Sequence, residues 1–139
     1  MSLEQGSSLP LHAGVSAKIL LAYKKDSFVT DMFENVGLFM FTENTITDLN
    51  QLRKELKKIR EQGYAFSNSE VDLMVRAISA PIFDYKGNIV AGISVAGPAD
   101  RLGDEYVPEV IDIVKDSARK ISYDLGYKSK AERKIKRYK

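Results

Sequence analysis

The chain contains no cysteine and only one histidine, His12. The lack of thiols excludes disulfides, thiolate zinc sites and a cysteine nucleophile, and it fits a reducing cytoplasm. One imidazole is too few ligands for a typical transition-metal site. The Asp and Glu residues show no spacing that would bring them together around a metal. Sequence signatures of phosphate loops, dinucleotide sites and nucleophile elbows are also missing. The sequence therefore predicts no catalytic residue, no metal and no cofactor, and an enzyme is the weaker class of function.

Long apolar runs are missing as well. The longest stretches, such as residues 19–22, fall far short of the roughly 20 residues that a membrane helix needs. The N-terminus also lacks the basic and then apolar pattern of a signal peptide. A length of 139 residues fits one domain with one substantial core. We therefore expect a soluble, cytoplasmic, single-domain protein without a membrane partner.

The net charge of +2 hides an uneven distribution of charge along the chain. Residues 128–139 carry seven Lys or Arg against one acidic residue, a local balance of +6 that leaves −4 for the rest. A terminal run of like charge is typical of a solvated tail, and non-specific contact with nucleic acid is the alternative. We expect a basic C-terminal tail over 128–139. The polar residues 1–8 are interpreted as a linker or as residues added for expression.

Apolar residues recur with helical spacing in several segments. The predicted helices cover residues 13–23, 31–36, 49–62 and 105–125. The third helix has the clearest ends. Asp48 can cap its first turn, with Gln51 placed for the reciprocal bond of a capping box, and Gly63 can end it in a left-handed conformation.

Apolar and β-branched residues predict strands in the second half of the chain. Residues 76–84 and 88–96 flank a glycine-containing turn and should pair as an antiparallel hairpin. Residues 64–66 predict another strand before a polar loop, and 38–42 predict a brief strand or an extended apolar link. This order of elements implies an α+β domain, in which helices flank an antiparallel sheet.

Three segments together are typical of one known family. They are residues 8–13 (SLPLHA), 59–65 (IREQGYA) and 74–102, which contain the predicted hairpin. Over residues 9–127 the chain resembles the effector-sensing C-terminal half of an IclR-type bacterial transcriptional regulator. The resemblance implies a GAF-like fold and a partial effector-binding domain over 9–127.

The resemblance also implies a small-molecule pocket. Effectors of such domains are often small carboxylates or aromatic acids. They meet the amides at the start of the helix after the Pro-x-His-Ala motif, which here are those of Val15 and Ser16. Such amides can hold an anion, although water or a neighbouring side chain caps most of them. The side chains that the resemblance places around the pocket are those of Leu9, Ser67, Val75, Ala77, Ser94 and Ala96.

Three of these positions depart from members of the family that bind small acids. Such members often have an acidic residue near the position of Ser67 and polar or sulfur side chains at those of Ala77 and Ala96. The pocket is therefore expected to be more apolar, and its effector larger or more apolar, if it binds one at all. For Ser94, a hydrogen bond to a neighbouring backbone group is an equally good interpretation.

The predicted function is effector sensing and oligomerisation within a homodimer or tetramer. The winged helix-turn-helix and the first strands of the sensor, which the family places before the Leu-Pro-x-His motif, are expected to lie outside this N-terminally truncated chain. Operator DNA would be bound only through that missing part. The effector would act by shifting the populations of subunit arrangements. The alternatives are an oligomerisation module that has lost its ligand, suggested by the small Ala77 and Ala96, and a small GAF-like enzyme.

Overall fold

The computed structural model describes Gln5 and residues 14–38, 40–70 and 73–129. The predicted pocket residue Leu9, the Pro-x-His-Ala motif and positions 130–139 of the predicted tail lie outside these residues. The described elements are α1 (Val15–Leu21), α2 (Asp26–Asn35), α3 (Leu49–Gln62), β1 (Ala65–Asn68), β2 (Val75–Phe83), β3 (Ile89–Pro98) and α4 (Val107–Asp124).

The three strands form one antiparallel sheet in the order β1-β2-β3, with β2 in the middle. Successive side chains of a strand point to opposite faces, so each face receives every second residue. One face of β2 carries Ile78, Ala80 and Ile82, which pack with Val114 and Ala118 of α4. The opposite face packs against α1, and α3 lies beyond α1 with its own apolar stripe. The predicted α+β architecture is therefore confirmed.

Helix α3 begins and ends where its local signals predict. The Asp48 carboxylate accepts a hydrogen bond of 2.8 Å from the backbone amide of Gln51. Gly63 follows the last turn with a φ of 80°, a left-handed conformation that glycine adopts without strain. Between these caps Leu52, Leu56 and Ile59 are buried in the core.

Helix α2 begins five residues before the predicted segment 31–36, because its start is held by a contact from α3. The guanidinium of Arg53 donates to both carboxylate oxygens of Asp26 at 2.9 and 3.2 Å and to the hydroxyl of Thr30 at 2.7 Å. Val29 and Met32 then form the buried side of the helix. The local sequence carries no sign of this bidentate contact.

Residues 38–42 were predicted as a brief strand or an extended apolar link, and the strand is wrong for the described residues, 38 and 40–42. The hydroxyl of Thr45 accepts hydrogen bonds from the backbone amides of Phe41 and Thr42, at 3.1 and 3.0 Å. Such side-chain bonds compete with a strand ladder and favour a local turn. The hairpin forms as predicted, with both strands one or two residues longer at the end away from the turn.

Within the described ranges, none of the helices is sufficiently long and apolar to span a membrane. The same part of the chain holds no group of three or more His, Asp or Glu placed to bind a metal ion.

Candidate ligand site

Five of the predicted pocket residues lie on the α1 face of the sheet. Ser67, Ala77 and Ala96 stand directly opposite one another, and so form one row across the three strands. Val75 pairs with Pro98 and Ser94 pairs with Ser79 in the rows on either side. Directly opposed side chains lie about 5 Å apart at Cβ, so these side chains line one continuous surface.

The start of α1 lies over this surface. The Ser16 hydroxyl is 3.4 Å from that of Ser94, which in turn donates a hydrogen bond of 3.0 Å to the hydroxyl of Ser79. Ser16 and Ser94 are exposed, whereas Ser79 is fully buried. The chain of three hydroxyls therefore runs from the surface into the sheet. The bonds that the structure shows for Ser94 are thus to other hydroxyls, not to a neighbouring backbone group.

The remaining predicted residues differ in burial and in the groups that a ligand could contact. The Val15 side chain is buried in the core, so only its backbone amide faces the start of the helix. The N-cap residue of α1 is Gly14, which has no side chain to satisfy the first amides. Ser67 is buried, Ala77 is half-buried and Ala96 is exposed. The row is thus closed at its β1 end and open at its β3 end.

Two side chains of this region were not predicted from the sequence. Ser79 lies two residues beyond Ala77 on the same strand face, so the alternation of β2 could have identified it. Lys18 occupies a position in the apolar stripe of α1 and has an exposed fraction of only 1%. Its ammonium lies 2.8 Å from a carboxylate oxygen of Glu70 and 3.5 Å from one of Glu55. A buried ammonium requires such partners, because an unpaired charge in the interior is very costly.

A hollow lies beside the other end of α1, away from the predicted residues. Its volume is about 370 Å³, and its lining includes Tyr23, Lys24, Arg53 and Arg60. Burial raises the pKa of Tyr23, an effect that the positive charge of Arg60 reduces. Arg53 is already paired with Asp26, and Arg60 donates a 2.8 Å hydrogen bond to the carbonyl of Ala22. These cations therefore hold the three N-terminal helices together.

A family model described as the bacterial transcriptional regulator IclR C-terminal matches residues 1–123. The chain belongs to this IclR family. The match to the HTH-type transcriptional repressor AllR of Salmonella typhi is 39% identical over 123 residues, which are 88% of this chain and 45% of AllR. The chain thus spans about half the length of the curated relatives it matches.

Two solved structures extend this relationship to the fold of this IclR-family chain. The C-terminal domain of the Escherichia coli regulator KdgR superposes with a TM-score of 0.77 at 36% identity, covering 85% of this chain and 72% of that one. A double mutant of the PobR inducer-binding domain from Acinetobacter, in complex with 3-hydroxybenzoic acid, gives a TM-score of 0.78 at 27% identity. It covers 82% of this chain and 66% of that one. The predicted family and fold are confirmed.

Proposed function

We propose that this chain is the effector-sensing domain of an IclR-type regulator, and that its ligand binds on the α1 face of the sheet. The observation that carries the proposal is that polar and apolar side chains lie next to each other on this face. The hydroxyls of Ser16, Ser79 and Ser94 form a polar chain there, and the methyl groups of Ala77 and Ala96 lie beside it. A few placed polar groups next to apolar lining are typical of small-molecule sites.

The chemistry of the surface favours a small carboxylate or an aromatic acid. Hydroxyls and the first amides of α1 can donate hydrogen bonds to a carboxylate, and we propose the amides of Val15 and Ser16 for this role. The small side chains of Ala77 and Ala96 leave room for an apolar body. Support comes from the PobR domain, whose solved complex contains 3-hydroxybenzoic acid in the same fold.

The proposed role of the ligand is regulation, not turnover. The relatives are transcriptional repressors and regulators, so we propose a cytoplasmic, non-enzymatic domain covering residues 9–127, with flanking segments over 1–8 and 128–139. A homodimer or tetramer would bind operator DNA through the part of the regulator that this chain does not span. The ligand would favour one subunit arrangement, and it could do so only with unequal affinity for the two.

The experiment is a thermal-shift screen against 3-hydroxybenzoate, other aromatic acids, small carboxylates and sugar acids. A ligand at 100 times its Kd should add about 2.7 kcal/mol to the free energy of unfolding, and so raise the Tm by several degrees. Ala96→Leu should abolish the shift, because its side chain would fill the open end of the row. Val95→Leu is the matched control, since its exposed side chain lies one residue away on the opposite face.

The screen also separates the alternative functions. If no compound shifts the Tm while circular dichroism shows a folded chain, the ligand-free oligomerisation module becomes the better hypothesis. Chemical conversion of a compound that shifts the Tm would instead support a GAF-like enzyme. Equal shifts in the wild type and in Ala96→Leu would place the ligand somewhere other than this face.

A further inference from the structure

Lys18 connects three parts of the fold that are far apart in sequence. Its ammonium, on α1, pairs with Glu70 between β1 and β2 and with Glu55 on α3. The side chains of Lys18 and Glu70 are only 1% and 7% exposed. Because both charges are withdrawn from water, separating them leaves each without compensation, which strongly opposes their separation.

Glu70 belongs to the β1–β2 connection, of which the structure describes Ser69, Glu70, Leu73 and Met74. This connection follows Ser67 and precedes Val75, and so adjoins the row of candidate ligand residues. The loop after α2 also holds it, since the hydroxyls of Thr42 and Thr45 donate to the backbone carbonyls of Ser69 and Glu70. Polar contacts from two directions thus hold the end of the candidate site.

The described residues of the connection also have features that depend on surrounding contacts. Ser69 and Met74 adopt φ angles of 61° and 67°, a region that non-glycine residues occupy only when surrounding contacts hold them there. Leu73 and Met74 are 64% and 68% exposed, so apolar burial contributes little at this point. Among the described residues, the second carboxylate oxygen of Glu70, Oε2, is buried without a hydrogen-bond partner. The ion pair with Lys18 is therefore the buried, charged contact among those that hold these residues in place.

We propose that Lys18 is a positioning residue for the candidate ligand site: from α1 it holds Glu70, at the start of the β1–β2 connection, in place and links this residue to α3 through Glu55. This inference rests on the proposed function, because the site that is positioned is the one proposed above. Lys18 lies one helical turn after Val15, so the helix that presents amides to the ligand also carries the charge that holds the connection. Movement of α1 on ligand binding would therefore change both ion-pair distances.

The test is residue-level hydrogen exchange by NMR on the 139-residue chain. Lys18→Met would leave Glu70 buried without its partner and would risk unfolding, so the decisive variant is Glu70→Gln. It keeps the size of the side chain and an oxygen that accepts a hydrogen bond, but removes the charge. The amides to follow are those of Ser69 and Met74, which donate to the carbonyl of Val75 and the hydroxyl of Ser69.

In Glu70→Gln these two amides should exchange about tenfold faster or more, because a charge-assisted hydrogen bond is replaced by a neutral one. Glu55→Gln should produce a smaller acceleration at the same amides. Glu61→Gln is the matched control, since it removes the same charge from an exposed side chain of α3 and should leave Ser69 and Met74 unchanged. Exchange in α4 should stay the same in all three variants.

Two results would overturn the inference. The first is unchanged exchange at Ser69 and Met74 in Glu70→Gln. The second is an equal acceleration in α4, which would show that the ion pair affects only global stability. A failure of the proposed function is distinguishable, because it would show as the lack of any thermal shift in the wild type, including with 3-hydroxybenzoate. In that case the exchange rates of these two amides would still show whether the ion pair of Lys18 and Glu70 holds Ser69 and Met74 in place.

Discussion

The backbone amide of Phe83 donates a hydrogen bond of 3.0 Å to the side-chain hydroxyl of Ser122. The register of the hairpin shifts between Ile82 and Phe83, so the regular ladder is interrupted at this amide. Ser122 is buried on the face of α4 that contacts the sheet. A helix side chain thus supplies the acceptor at the irregularity of the strand.

Replacing Ser122 with alanine should therefore lower the free energy of unfolding. The substitution leaves the Phe83 amide without this acceptor in a partly buried environment, which costs about 1 kcal/mol. Urea denaturation monitored by circular dichroism would measure the change. Ser117→Ala, at a half-buried position earlier on α4, is the control and should change stability by less than about 0.5 kcal/mol. Equal losses in the two variants would contradict the assignment of this hydrogen bond.

Gly92→Ala should push α1 away from the sheet. A Cβ atom at Gly92 would lie 2.6 Å from Cγ2 of Ile19 and 3.2 Å from the hydroxyl of Ser79. Overpacking of this kind costs about 1–3 kcal/mol, which denaturation would measure. Gly97→Ala on the same strand is the matched control, because a Cβ there meets no atom within 4 Å. The expectation fails if the two alanine variants unfold at the same urea concentration.

The pKa of Tyr23 is raised above its ordinary value, chiefly because the side chain is partly buried, with Arg60 acting in the opposite direction. The folded chain therefore keeps the phenol proton at pH values where the unfolded chain has released it. The resulting stability is fully present below pH of about 10 and is lost as the pH rises through the pKa of the folded state.

A spectrophotometric titration of tyrosinate should accordingly show a late component. Tyr23→Phe should remove that component, because it removes the buried phenol and keeps the ring. Tyr123→Phe is the control, since Tyr123 is 71% exposed and its replacement should leave the late component of Tyr23 in place. A late component that survives in Tyr23→Phe would assign it to another tyrosine.

Features with purely local causes could be predicted from the sequence. Both ends of α3 were predicted to the residue, because Asp48 and Gly63 act within one turn of the helix. The start of α2 could not be predicted, since it depends on Arg53, which lies 27 residues after its partner Asp26. The ends of α3 are thus set by neighbouring residues, whereas the start of α2 depends on a residue far along the chain.

In the candidate site, too, some residues could be predicted from local sequence and others depend on distant partners. Alternation along β3 predicted that Ser94 and Ala96 share one face, and the family resemblance added Ala77, which the structure pairs with Ala96. Lys18 was not predicted, because a charged side chain on a short helix is usually exposed to solvent. Its burial depends on Glu70, 52 residues away in sequence. Partners of that kind become visible only when the chain is folded.

The two faces of β2 pack against different helices. Ala77 and Ser79 project toward α1 and the candidate ligand, while Ile78 and Ala80 project into the core under α4. Under the proposed function, substitutions on the α1 face would change ligand preference while the core under α4 keeps its packing. A lineage of such regulators could diversify its effectors by varying every second residue of the hairpin.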